Sequence, residues 1–463
     1  MLTSPPTHRR ELRDLGFFLL LFGALAAETF LLPQTASVRP WVEGERLPLV
    51  GLMDSEPQEQ LAHSNSEIPE RTPAVYVALE HAERLGFFFQ GLREIEEGKD
   101  RTVRVLHFGD STIAADGIPG AIRRRLQARF GDRGPGFLPL HVDTRWVYRP
   151  GVSRLTSGEW ETWNLTQGGA PHRRYGLGGS PSRLTGRGGM ELVWKGLEPA
   201  SPPLTQATLH LQKQPGGGTV RIRLDSGEPV EIATRSEQVQ DHRETLTASS
   251  GFQTVAIESQ GNGPVSFYGV ALDRGTTGVT WETLGVAGSS IGSMRRQNPE
   301  HLQSEIAARS PSLLVYQTGG NALGYDSFKE GDGEAFLEQY LNVLGRLRSG
   351  APEASCLLVG PLDQGIRVRG RVESKKDSPR MIGIQRAAAD AAGCAFWDAR
   401  EVMGGEGGFA RWMAHEPTLT WTDLMHLSQE GSLLVGERFA DALLQAYDRS
   451  GTVDLVESEE GGP

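Results

Sequence analysis

The chain has 463 residues, 38% of them hydrophobic, and a formal net charge of −11 with no long basic stripe. That length allows two or three domains, and the acidic balance gives no reason to expect a nucleic-acid partner. Two cysteines are too few for a disulfide framework.

The N-terminus reads as an address. His8, Arg9 and Arg10 precede the apolar run LGFFLLLFGALAA, residues 15–27, and Ala24-Leu25-Ala26 offers a small-residue cleavage site. Extended through ETFLL, the same run fits an uncleaved signal anchor in a membrane. Both readings of residues 1–32 export the remainder to the periplasm, the cell envelope or the medium. Residues 33–74 are polar and proline-rich and read as a linker.

A first α/β segment is expected over 75–145. Residues 75–98 show helical periodicity and close at Gly98; an apolar strand follows at 103–108 and a helix at about 118–130. Arg123, Arg124 and Arg125 in that helix read as a solvated face. From 146 to 277 helical periodicity disappears. Short alternating runs at 190–194, 207–212, 219–224, 254–259 and 265–272, punctuated by glycine and proline, predict an all-β sandwich of jelly-roll type.

The α/β pattern returns over 278–450. Strands are predicted at 279–284, 312–317, 355–360 and 394–399, with helices at 299–309, 334–348, 380–392 and 428–447. Alternating strands and helices imply a parallel sheet covered on both faces, with the β-sandwich inserted after the first βα unit. Residues 451–463 read as an acidic tail. Cys356 and Cys394 each begin a predicted strand; free buried thiols are the default, and a single bridge is the alternative in an exported chain.

If these strands form one sheet, several polar residues fall at its C-terminal edge, where open α/β sheets bind ligands. Ser111 follows the first strand. Gly288 lies in GVAGSSIG, Asn321 in TGGN, and Asp423 and His426 in WTDLMHLSQEG. Acyl transfer needs such a set. A serine hydroxyl needs an imidazole to take its proton, and the imidazole needs a carboxylate to fix its tautomer. Backbone N–H groups of Ser111 and Gly288 and the Asn321 amide are candidate donors to the oxyanion.

These blocks resemble the SGNH hydrolases, or GDSL esterases. Gly109-Asp110-Ser111, Gly288, Gly319-Gly320-Asn321 and Asp423-x-x-His426 occur in the family's order. The resemblance covers about 75–145 and 278–450, and implies a three-layer, flavodoxin-like parallel sheet. It also implies catalysis by Ser111, Asp423 and His426, an oxyanion hole of Ser111, Gly288 and Asn321, and no metal or organic cofactor. Within the family, HFGDS, GPGF (134–137), LGVAG, FWDAREVMGG (396–405) and DLMHLSQEG look most like cell-envelope esterases similar to peptidoglycan O-acetylesterases. Those carry a carbohydrate-module-like β domain at the same insertion point, so an acylated envelope glycan is the expected partner. The chain departs from its relatives at Thr112, where histidine is common, and at Ala322, where an acidic residue is common.

Each residue also has a plainer reading. Ser111 alone is a helix cap, Gly288 a turn glycine, Asn321 an Asx-turn residue, Asp423 the N-cap of the last helix and His426 a surface histidine. Asp110 is expected to bond local backbone, and His107 to pack inward. Trp421 and Tyr325 flank the blocks as pocket or packing aromatics. Neither HExxH nor CxxC occurs, and the GxSxG elbow is absent around Ser111. The same triad would serve a hydrolase or an acyltransferase, and a glycan-binding protein with a dead site is the third reading.

Overall fold

The structure is a computed structural model that describes residues 73–140, 147, 149–196, 202–324, 328 and 332–459. The expected leader (1–32), the linker as far as residue 72, and Tyr325 lie outside the described residues. Among the described residues, no helix is long and apolar enough to cross a membrane.

A parallel sheet organises the α/β part. Its strands are β1 (Thr102–Gly109), β2 (Gly278–Gly285), β3 (Leu313–Gln317), β4 (Ser355–Val359) and β5 (Ala395–Trp397), in the spatial order β2-β1-β3-β4-β5. Alternation along β1 sends side chains to opposite faces. Val103 and Val105 join a core with Trp281, Trp397 and Phe439, whereas Leu106 and Phe108 join another with Tyr316, Tyr340 and Ile306. The first core is covered by α1 (Gly86–Glu96), α3 (Gly117–Phe130) and the last helix, α8 (Gln429–Glu459). The second lies under α5 (Pro299–Arg309), α6 (Gly333–Ser349) and α7 (Ser378–Ala392). Two one-turn helices, α2 (Ser111–Ala114) and α4 (Ile291–Met294), follow β1 and β2.

Two antiparallel sheets interrupt this pattern. One runs in the order 240–252, 204–213, 265–273, 182–184, 160–162, with 136–138 also pairing to 265–273; the other runs 152–157, 187–194, 254–260, 219–224, 230–233. Leu209 and Leu211 of the first sheet share a core with Ile222, Val255 and Ile257 of the second. Strand 136–138 already belongs to these sheets, earlier than the expected start at 146.

Four sequence expectations change. Residues 74–79 are not helical: Glu80 exchanges both backbone hydrogen bonds with Phe396 of β5, and helix α1 begins only at Gly86. Arg123 is not solvated but buried against Asp116, with Nη1 to Oδ1 at 3.1 Å, and Arg125 pairs with Glu437 and Asp441 of α8. Cys356 and Cys394 form a disulfide. Leu357 and Ala395 are register partners on adjacent strands, so the residues before them lie side by side, 4.6 Å apart at Cα. Finally, α8 continues to Glu459, into the segment expected to be a tail.

Candidate active site

Strand register assembles the site. Gly109 ends β1 opposite Gly285 of β2 and Gln317 of β3. Ser111, Gly288 and Asn321 therefore follow the matched ends of three neighbouring strands by two, three and four residues. Close packing at the strand ends requires glycine. A Cβ on Gly109 would lie 2.3 Å from Ile113 Cγ1 and 2.9 Å from the Gln317 carbonyl; one on Gly285 would lie 2.2 Å from the Ala114 nitrogen. The turn α2, which carries Ser111, thus rests directly on backbone.

The capping question has a clear answer. Asp110, not Ser111, is the N-cap of α2, and its carboxylate accepts the Thr112 N–H at 3.0 Å. Burial raises the Asp110 pKa, and the Thr112 hydrogen bonds oppose that shift without cancelling it. Ser111 is left with its hydroxyl available.

That hydroxyl lies 2.8 Å from His426 Nε2. His426 Nδ1 lies 2.6 Å from Asp423 Oδ2. The other oxygen of Asp423 accepts the N–H groups of Met425 at 2.9 Å and His426 at 3.0 Å. Asp423 therefore caps its own turn and not the last helix, where Ser428 Oγ accepts the Gly431 N–H. Partial burial works to raise the Asp423 pKa, but the His426 ring, the two backbone donors and the imidazole charge together hold it down to about 2. An ionised carboxylate only accepts, so Nδ1 carries the proton and Nε2 is left to accept from Ser111.

Asn321 and Gly288 lie on the loops that follow the two strands neighbouring β1. The Asn321 side-chain amide donates to the Ser289 carbonyl at 2.9 Å, which ties the β3 loop to the β2 loop and leaves its second amide hydrogen uncommitted by that bond. Gly288 is exposed, with φ +76°. Trp421 is 42% exposed; its ring centroid is 5.8 Å from that of His426, and its backbone N–H donates to the His426 carbonyl. His107 packs inward as expected. It accepts from the Trp281 indole at 3.2 Å, and burial lowers its pKa to about 3, so it is a neutral core residue.

Sequence reasoning missed a buried network beneath α2. Asp116, in the left-handed region, bonds Arg123 and Thr283, while Arg149 donates to the Ala114 carbonyl at 3.3 Å and to that of Thr283. Asp116 and Arg123 are seven residues apart on one short segment, but Thr283 and Arg149 come from far along the chain, and no local spacing announces them.

One cluster has a metal-like composition: Asp241, His301 and Glu305. His301 Nε2 accepts the Gly176 N–H at 2.9 Å, so Nδ1 bears the proton it donates to Asp241 at 2.8 Å. Neither ring nitrogen has a lone pair to spare. Glu305 is occupied by His210 at 2.8 Å and Arg243 at 2.6 Å. The cluster ties strands 204–213 and 240–252 to α5 instead of offering a cation site.

No family model matches the chain, and no curated protein matches it. Among solved structures, the chain is similar to a peptidoglycan O-acetylesterase at 19% identity and a TM-score of 0.65, over 78% of this chain and 96% of that one. An acetyl xylan esterase aligns at 21% identity and a TM-score of 0.27, over 34% and 78% of the two chains. A carbohydrate esterase of family 2 with a carbohydrate-binding domain, from Corynascus thermopiles (Myceliophthora fergusii), aligns at 13% identity and a TM-score of 0.28, over 62% and 99%. The first of these likenesses shows a shared fold over 78% of this chain.

Proposed function

We propose that the protein is an exported serine esterase of the SGNH type that hydrolyses O-acetyl, or other short acyl, esters on a cell-wall or envelope glycan. The observation that carries this reading is the continuous relay Ser111–His426–Asp423, closed at 2.8 and 2.6 Å across 315 residues of sequence separation. The fold shared with a peptidoglycan O-acetylesterase supports the glycan as substrate. The Cys356–Cys394 bridge fits an oxidising compartment, in keeping with export. The two antiparallel sheets are read as a jelly-roll domain that holds the polymer near the cleft.

The chemistry follows from the relay. His426 Nε2 takes the Ser111 proton as Oγ attacks the ester carbonyl carbon. The negative oxygen that forms is held by the Ser111 and Gly288 N–H groups and the Asn321 amide, each worth about 3 kcal/mol of barrier. His426 then returns the proton to the departing sugar oxygen. Water, deprotonated by the same nitrogen, attacks the acyl-serine and releases the acid. Asp423 keeps the ring oriented and stabilises the imidazolium formed twice per cycle.

Release of acetate from 4-nitrophenyl acetate and from O-acetylated glycan tests the reading. Ser111→Ala is expected to lower kcat by about 10⁴-fold or more with the fold intact. Unchanged turnover in that variant would remove Ser111 from the chemistry.

A further inference from the structure

Two groups of arginines lie near the candidate site, one on a cleft lined by the chain that follows β2 and the other on the hairpin that follows β4. The sheet order puts β2 on one side of β1 and β3, which carry Ser111 and Asn321, and β4 on the other. The chain that follows β2 carries Gly292, Arg295 and Arg296, four to eight residues past Gly288, and these line a cleft of about 580 Å³ with Arg173 and, from α6, Arg346. Thr166 connects this cleft to the site: its methyl would lie 3.9 Å from a Cβ on Gly288, and its carbonyl accepts from Arg296.

These guanidiniums are held by carbonyls, not by carboxylates. Arg173 donates to the carbonyls of Arg296 at 2.8 Å and Arg295 at 2.9 Å, and Arg346 to that of Arg295 at 3.3 Å. Among the described residues, none of the four makes an ion pair, and the Arg295 guanidinium makes no hydrogen bond. Their positive charge is unneutralised in a chain whose net charge is −11.

Beyond β4, the hairpin Gly365–Val368 and Arg371–Ser374 carries the second group. Its Gly365 N–H donates to the Leu424 carbonyl at 2.9 Å, between Asp423 and His426, so the hairpin borders the relay directly. Arg367, Arg369 and Arg371 are exposed and, among the described residues, form neither ion pairs nor side-chain hydrogen bonds. Lys375 donates to Gln364 at 2.8 Å and to the Leu323 carbonyl at 3.3 Å, next to the Asn321 turn.

Many cations elsewhere among the described residues have acidic partners: Arg125, Arg129, Arg221, Arg243, Arg309 and Arg386 each pair with a carboxylate. Arg348 and Arg411 also bond only carbonyls, but the two groups near the candidate site bring several guanidiniums without carboxylate partners to one region, and such charge raises the local concentration of anions against the repulsion of the whole chain. We propose that the site takes an acylated polymer bearing regularly spaced anionic groups, carboxylate or phosphodiester, which the Arg295 cleft and the Arg369 hairpin grip near the reacting ester. This rests on the esterase reading for the word substrate, but the binding claim stands by itself.

Binding is measured by titration calorimetry on the full chain carrying Ser111→Ala, so that no ester is consumed. The probes are a galacturonate oligomer for carboxylate, a glycerol-phosphate oligomer for phosphodiester, and a neutral xylo-oligosaccharide of equal length. At least one anionic oligomer is expected to bind about tenfold more tightly than the neutral one, and tightness is expected to fall with added salt. Whichever anion binds better names the source. Arg295→Glu and Arg369→Glu are each expected to weaken that binding about threefold, and together about tenfold. Neither side chain holds a described neighbour, so both variants should fold. Arg221→Glu, on strand 219–224, makes the same change in net charge and is expected to leave affinity unchanged. Equal affinity for neutral and anionic oligomers, or indifference to both charge reversals, would overturn the proposal. Failure of the wild-type protein to hydrolyse 4-nitrophenyl acetate would instead sink the esterase reading and leave the binding result as it stands.

Discussion

Asp423 decides whether His426 can act as a base. Its carboxylate accepts three hydrogen bonds, two from backbone and one from the ring, and these outweigh the burial that opposes ionisation. The sign of the consequence follows from linkage. A carboxyl whose folded pKa of about 2 lies below its ordinary 3.8 stabilises the fold above pH 3.8, and that contribution is lost as pH falls toward 2. Carbon-13 NMR of the Asp423 carboxyl is expected to show a midpoint near 2, moving upward in His426→Ala. A midpoint near 3.8 in the wild-type protein would mean that the ring and carboxylate are not coupled in solution. Ser111, Asp423 and His426 were each legible in the sequence, but only as members of an ordered set, since each has an ordinary structural reading alone. That Asp110 bonds local backbone was legible; that it, and not Ser111, is the N-cap of α2 was not, because both residue types cap helices equally well.

The elements matter because α2 has almost no helix of its own. Its four residues are placed by the strand ends beneath and by the Asp116–Arg123–Arg149 network. Gly285 is the sharpest test. A methyl there meets the Ala114 backbone nitrogen at 2.2 Å, so α2 must move. Gly285→Ala is expected to retain its circular dichroism spectrum yet lose about 10²-fold in kcat, the cost of misplacing a nucleophile by about an ångström. Full activity in this variant would show that the strand end does not position Ser111. The parallel strands were readable from their apolar runs to within two residues at each end. The segment 74–79 was misread because helical periodicity does not register the backbone hydrogen bonds that Phe396 offers to Glu80. The disulfide was undetermined for a similar reason: pairing depends on which strands are neighbours, and β4 and β5 become neighbours only in the folded sheet.

On the scale of the molecule, buried ion pairs join the antiparallel sheets to the parallel one. Arg309 of α5 bonds Glu282 of β2, with Nε at 2.9 Å, and Asp273 of strand 265–273 at 3.2 Å through both Nη atoms. Burial works to lower the Arg309 pKa, but the two carboxylates raise it, and its charge is secure. Removing the cation strands two acids in the interior. Arg309→Met is therefore expected to lower stability by about 3 kcal/mol or more, read from the urea unfolding midpoint. A midpoint equal to wild type would show that the antiparallel part docks by apolar contact alone. Long-range pairs of this kind, like the Asp241–His301 and His210–Glu305 contacts, left no trace in local pattern. The order of the Ser111, Gly288, Asn321 and Asp423–His426 blocks did, because the chain returns to the same sheet edge after each strand.

The whole account depends on Ser111 being a live nucleophile. Incubation of the full chain with a fluorophosphonate probe, followed by peptide mass spectrometry, tests that most directly. One adduct is expected, on the peptide containing Ser111, with labelling lost in Ser111→Ala and slowed strongly in His426→Ala. An unmodified Ser111 after exhaustive exposure, or labelling that persists unchanged without His426, would contradict it.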